Sequence, residues 1–160
     1  MNDFFKVIDE HDSRVAAERQ SAQGAADQAK ADAANREMAF ASAVEHIVEP
    51  LFAEFVAGVK ATSREASIKP LSKDGYNRSN IQVGFNVTVG SRLNINASED
   101  SAYSITLMED GDVEFRSYYD QRVGKNGISK RRGELSSIND ETVRHDLNVV
   151  LSLALESRKA

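Results

Sequence analysis

The spacing of hydrophobic residues changes near Lys60, from a helical period before it to a strand period after it. Residues 2–49 contain no proline and a single glycine, Gly24, so nothing in this stretch interrupts a helix. Beyond Lys60, apolar and polar residues alternate, as in a strand with one buried face. The pattern therefore predicts an α+β protein in which a long N-terminal helix precedes an antiparallel sheet.

The N-terminal segment, residues 1–36, repeats apolar and small residues at alternating steps of three and four. Helices that pair along their length have this spacing. The predicted oligomer seam consists of Phe5, Ile8, Val15, Ala22, Ala26, Ala29 and Ala33. Because Asp12, Arg19 and Arg36 interrupt the repeat, two interpretations stay open. One is a coiled coil that joins two copies, and the other is an exposed, alanine-rich helix.

The second segment, residues 37–160, is predicted to form a globular α+β domain. It begins with a broad apolar helix face, of the kind that packs on a sheet. The residues of this face are Val44, Ile47, Val48, Leu51, Phe52, Phe55, Val56 and Val59. Pro50 lacks a backbone donor and disfavours helical geometry at Glu49, so we expect a kink or a break there. We also expect Phe55 to lie in the core.

The alternating pattern predicts about four antiparallel strands, at 81–89, 93–96, 101–108 and 112–119. Asp110-Gly111 lies between two of these runs and is a strong signal for a hairpin turn. Residues 121–133 contain three glycines and too few apolar positions to predict a strand. We therefore interpret that stretch as a basic loop with a turn at 125–127.

A C-terminal helix is predicted from about residue 140 to residue 157, with Asn139 or Asp140 as its N-cap. Its apolar face consists of Val143, Leu147, Val150, Leu151, Ala154 and Leu155. The simplest way to bury both apolar helix faces is to pack the 38–60 and 140–157 helices on one face of the sheet.

Composition restricts the class of protein. With 160 residues and 41% hydrophobic content, the chain suits one domain with an extension. A net charge of -5 gives no overall attraction to nucleic acid or anionic lipid. Neither an apolar run of membrane-spanning length nor a signal-like N-terminus occurs, so we expect a cytoplasmic protein without membrane contact. The absence of cysteine excludes thiol catalysis, disulfides and cysteine-ligated metals.

Candidate chemistry is sparse. None of the three histidines, His11, His46 and His145, has a convincing catalytic or metal-binding partner nearby in sequence. The acidic hairpin at 109–114 lacks the spacing of a calcium loop, and turn geometry alone accounts for its aspartates and glycine. We therefore expect no catalytic residue, no metal site and no cofactor.

A basic stretch is the strongest candidate for a contact surface. Its five cations are Arg122, Lys125, Lys130, Arg131 and Arg132, and Tyr118 and Tyr119 precede them. Such a cluster suits phosphates or an acidic protein surface, and aromatic side chains beside cations occur in single-stranded nucleic-acid sites. A solvated loop is the alternative, because the two tyrosines should point to opposite faces of a strand.

These patterns support a leading hypothesis and two others. The leading one is a non-enzymatic protein-interaction module, a homodimer joined by its N-terminal helices, which binds or inhibits another macromolecule. Small secretion chaperones and phage-type inhibitors share this general profile, by analogy only. The alternative is a nucleic-acid-binding protein that uses the 122–132 loop. The third hypothesis is an enzyme whose site is assembled across a dimer interface.

Overall fold

The computed structural model describes residues 3–158, which divide into two units, one ending at Arg36 and the other beginning at Glu37. It confirms the predicted α+β class. In chain order the elements are α1 (Asp3–Ala43), a π-helical turn (Val44–Val48), α2 (Glu49–Lys60), β1 (Ala66–Lys73), β2 (Ser79–Phe85), β3 (Ser101–Leu107), β4 (Val113–Asp120), β5 (Gly127–Gly133) and α3 (Asp140–Ser157). Among the described residues, none of the helices combines the length and the apolar character that a membrane span requires.

The predicted irregularity near Pro50 is confirmed as a kink, because the chain stays helical on both sides of it. Proline lacks a backbone N–H, and its ring crowds the carbonyl four residues earlier, which belongs to His46. Just before Pro50 the backbone widens into the π-helical turn. There the N–H of Glu49 donates to the carbonyl of Val44, five residues back rather than four. This spacing accommodates the proline without ending the helix.

The five strands form one antiparallel sheet in the order β1-β2-β3-β4-β5, so each strand pairs with its neighbour in sequence. One face of the sheet is apolar and packs against α2 and α3. Its fully buried side chains include Ile81, Val83, Phe85, Tyr103, Ile105 and Val113. The Phe52 ring of α2 meets Tyr103 edge-on, with the ring centroids 6.0 Å apart. The opposite face of the sheet is polar.

The sheet has five strands where the sequence predicts about four, because the pattern does not indicate the two edge strands. In β1, Pro70 lies at a register shift between Lys69 and Ser72. In β5, residues 130–132 are three consecutive basic residues. Proline, irregular register and charge are usual at sheet edges, where they prevent pairing with another chain. These features replace the alternation by which a strand is recognised.

The predicted strand at 93–96 is wrong, and β2 ends earlier than expected. The side-chain oxygen of Asn86 accepts a hydrogen bond from the N–H of Thr88 at 2.8 Å, which turns the chain after Phe85. Asn94 has a positive φ of 66°, a conformation that strands do not adopt. Ile95 is 75% exposed and contributes nothing to the core. Local hydrogen bonding by asparagine side chains therefore overrides the short alternation in this segment.

A buried carboxylate joins α3 to the sheet. Asp146 is 7% exposed and accepts the Tyr103 hydroxyl hydrogen bond at 2.6 Å. Arg131 donates to both oxygens of the same carboxylate, at 2.9 and 3.1 Å, while its guanidinium stacks over the Phe115 ring. Burial, followed by the charge of Asp146, raises the pKa of Tyr103 well above its usual range. The cluster links β3, β5 and α3 through charge-assisted hydrogen bonds.

The C-terminal helix begins as predicted. The Asn139 side chain caps α3 by accepting the N–H of Thr142 at 2.8 Å. Its apolar face is mostly buried, but Leu151 is half-buried and Leu155 is 42% exposed. Phe55 of α2 packs against the core as expected, but it is half-buried rather than fully buried. These three side chains are partly uncovered because a groove separates the two helices on that side.

The difference in burial between Phe52 and Phe55 gives a stability prediction. Phe52→Ala should lower the free energy of unfolding by about 3 to 5 kcal/mol, because it empties a fully buried site. Phe55→Ala should cost roughly 1 to 2 kcal/mol, since that ring is only partly buried in the wild-type protein. Urea denaturation followed by circular dichroism measures both values. Equal losses at the two positions would contradict this description of the core.

A second prediction concerns acid stability at the end of β4. Hydrogen bonds from the Arg122 guanidinium, at 2.7 and 2.9 Å, lower the pKa of the buried Asp120 from its ordinary 3.8 to about 2. A depressed pKa stabilises the fold above pH 3.8, and this contribution disappears as the pH falls through 2. Asp120→Asn should therefore lower Tm clearly at pH 6 and much less at pH 2. Asp9→Asn, at an exposed position on α1, is the matched control and should change Tm at neither pH.

Candidate interaction surfaces

The predicted basic residues do not form one patch, because strand alternation and local ion pairs separate them. Arg131 points to the helix-covered face, where it binds Asp146. Lys130 and Arg132 lie on the opposite face, beside Arg116 and Glu114 of β4. Three of the five cations are held by carboxylates: Arg122 by Asp120, Arg131 by Asp146 and Arg132 by Asp110. Lys125 lies exposed in the β4–β5 turn and Lys130 is exposed on β5.

The two tyrosines also lie on opposite faces of β4. Tyr118 is on the polar face, where its hydroxyl accepts a hydrogen bond from Arg116 at 2.9 Å. Tyr119 packs against the core, and its hydroxyl donates to the carbonyl of Asn126 at 3.2 Å. Only Tyr118 is therefore placed to contact a partner together with cations of the polar face.

The polar face of the sheet, which we call the open face, is the first candidate surface. A continuous row crosses all five strands, with each residue paired to the next: Lys69, Gln82, Ser104, Arg116 and Lys130. Arg116 binds the Glu114 carboxylate, and no carboxylate among residues 3–158 forms an ion pair with Lys69 or Lys130. The face therefore carries a net positive charge within an acidic protein.

The open face contains a depression that is lined in part by the turn between β1 and β2. The Asp74 carboxylate organises this turn by accepting the backbone N–H groups of Tyr76 and Arg78, each at 2.9 Å. The Arg78 guanidinium stacks on the exposed Tyr76 ring, 4.6 Å from the centroid. A depression of about 240 Å³ lies between this turn and Tyr118. It offers aromatic and guanidinium groups for contact with a flat or anionic partner.

The second candidate surface is the groove between α2 and α3, with a volume of about 260 Å³. Its walls are mainly apolar, and Phe55, Leu147 and Leu151 line it. Arg144 closes one part of the rim through an ion pair with Glu54 at 2.9 Å. Arg64 also lines the groove, and its Nε donates to the carbonyl of Val87 at 2.7 Å. Sequence patterns do not reveal this groove, because it arises from the spacing of two helices.

One groove residue does have a sequence signal. Gly58 lies in the interior of α2, where glycine costs about 1 kcal/mol relative to alanine. A Cβ at this position would meet no atom within 4 Å, so close packing does not require glycine. A glycine inside an otherwise strong helix can therefore mark a place where the helix surface is kept free of a side chain for another reason.

The third candidate surface is α1. Residues 3–36 are helical, and no side chain among them is buried. The seam residues Phe5 and Ile8 are 69% and 55% exposed. Phe4 and Val7, in the same turns, add further exposed apolar surface. Val15 is half-buried, and the four seam alanines from Ala22 to Ala33 are exposed. Positions 1 and 2 of the predicted N-terminal segment lie outside the described residues.

His11, His46 and the acidic hairpin make ordinary local contacts, and His145 is exposed on α3. His11 is exposed and lies 3.2 Å from Arg14, and the Nδ1 of His46 lies 2.8 Å from the carbonyl of Ser42. In the hairpin, the Asp110 carboxylate accepts the N–H of Asp112, as turn geometry predicts. No group of three or more histidine, aspartate or glutamate side chains among residues 3–158 is placed to hold a metal ion.

Comparison of the chain with protein-family models, curated proteins and solved structures gives no match.

Proposed function

We propose that this protein is a non-enzymatic interaction module that forms a homodimer through α1 and binds another macromolecule. The supporting observation is the exposure of α1, since four apolar side chains in its first turns are between 55% and 81% exposed: Phe4, Phe5, Val7 and Ile8. Contiguous exposed apolar side chains mark interaction sites on proteins. A helix of this length also gains most of its stability from packing rather than from propensity.

A second copy of the same helix is the partner that the spacing favours. The seam follows steps of three and four from Phe5 to Ala33, the repeat of a left-handed helix pair. Alanine at most seam positions lets two backbones approach closely, although each methyl contact is weak. A pair extending over many turns adds these small contributions together. The larger side chains at Phe5 and Ile8 then provide the strongest contacts near one end.

The dimer predicts a mass of twice 17.6 kDa for the full chain in multi-angle light scattering. Ala22→Glu/Ala29→Glu should produce monomers, because the pairing would bury new charges in an apolar seam. Ala17→Glu/Ala31→Glu is the matched control, with the same added charge on the outer side of the helix, and should remain dimeric. A fragment of residues 37–160 should be monomeric and folded. A full-length monomer at roughly 100 µM would contradict the proposal.

Single-stranded nucleic acid is a second candidate partner, and the open face favours it. Lys69, Arg116 and Lys130 lie in one row, with Tyr118 beside them for stacking. Backbone phosphates pair with such cations, and bases stack on exposed aromatic rings. This surface shares only Lys130, Arg132 and Tyr118 with the stretch that the sequence indicates.

Fluorescence anisotropy with short single-stranded oligonucleotides at low salt measures this second function. Lys69→Gln/Lys130→Gln should weaken binding and reduce the slope of log K against log salt by about 0.7 for each lysine. Lys30→Gln/Lys60→Gln removes the same charge elsewhere and should change neither quantity. Binding that is absent at low salt, or equal in both variants, would exclude the open face as a nucleic-acid site.

A further inference from the structure

The α2–α3 groove has the shape and lining of a small-molecule site. Small-molecule sites are concave and mostly apolar, with a few polar groups that orient the ligand. Here Phe55 and Leu151 are half-buried and Leu155 is 42% exposed, although they belong to the core-facing sides of their helices. The groove therefore leaves apolar surface in contact with water that a ligand would cover.

Gly58 keeps this groove open. It lines the groove, and its missing side chain leaves space in which a Cβ would meet no atom within 4 Å. Its φ is not positive, so backbone conformation does not require glycine either. Neither helix geometry nor packing explains the residue, whereas an occupant lying against α2 does.

The two arginines of the groove differ in charge compensation. Arg144 is bound by both oxygens of Glu54, at 2.9 and 3.1 Å, and by Asp140 at 3.3 Å. Arg64 donates to the carbonyls of Val87 and Thr62, and no carboxylate among residues 3–158 forms an ion pair with it. The Val87 contact leaves the terminal nitrogen Nη2 of Arg64 for an external acceptor. The groove therefore offers one uncompensated guanidinium beside apolar walls.

We propose that this groove binds a single-chain aliphatic carboxylate, with the carboxylate on Arg64 and the chain lying against Gly58, Phe55 and Leu151. The nine residues from Glu54 to Thr62, of which the last two follow α2, span about 12 Å at the helical rise of about 1.5 Å per residue, which suits a chain of roughly eight to ten carbons. Charge complementarity selects an anionic head group, because the other rim arginine already has its carboxylates. None of the groove residues belongs to the α1 seam, so the test of this proposal does not depend on dimerisation.

Isothermal titration calorimetry of the full chain with octanoate and with 1-octanol tests the proposal. Octanoate should bind more tightly than octanol to the natural protein. Gly58→Leu fills the groove and should weaken octanoate binding at least tenfold. Ala57→Leu is the matched control on the neighbouring, exposed position of α2 and should leave binding unchanged. Circular dichroism and Tm confirm that each variant is folded.

The role of Arg64 requires a second set of variants. Arg64→Gln should weaken octanoate binding about tenfold and leave octanol binding unchanged. Arg64→Lys should retain most of the affinity for octanoate. Arg92→Gln, the same change at an exposed arginine elsewhere, should have no effect. The proposal is overturned if octanoate does not bind or if Gly58→Leu binds it normally. It is equally overturned if Arg64→Gln weakens octanol as much as octanoate, or if Gly58→Leu changes only the oligomeric state.

Discussion

The buried carboxylate of Asp146 is the constraint on which the arrangement of the globular unit depends. A charge removed from water is costly unless several hydrogen bonds and an opposite charge compensate it. Asp146 obtains these partners from two strands, through Tyr103 of β3 and Arg131 of β5. Helix α3 is thereby held at one position along the sheet. A shift of α3 along the sheet would leave a buried charge without partners.

The same interaction decides which charges face outward. Successive residues of a strand point to opposite faces, so fixing Arg131 inward places Lys130 and Arg132 outward. The Arg131 guanidinium also covers the Phe115 ring, which gives β5 a contact with the core although it has few apolar residues. The outward position of these two cations on the open face is thus a consequence of how a buried aspartate is satisfied. The Arg131–Asp146 ion pair therefore affects both the packing of α3 and the charges on the open face.

The sequence predicts the parts of this fold whose residues are buried by simple periodic contact. Helices α2 and α3 and the three inner strands follow from apolar spacing, and the Asn139 cap and the Asp110-Gly111 turn follow from local chemistry. The edge strands β1 and β5 escape prediction because Pro70 and three consecutive cations replace the alternating pattern. The basic cluster looks continuous in sequence, but its members face different directions. The α2–α3 groove depends on the distance between two helices, and its one signal in the sequence is the glycine at position 58 inside α2.

The proline of β1 and the charges of β5 would also affect how two chains behave when they are held together. Tethering two domains raises the local concentration of each near the other to the millimolar range. At that concentration two bare sheet edges would add to each other and extend into a continuous ribbon of strands. The proline bulge of β1 and the clustered charge of β5 make such strand addition unfavourable at both ends of the sheet. Two domains whose sheet edges resist strand addition can be held together as a dimer without assembling into larger oligomers.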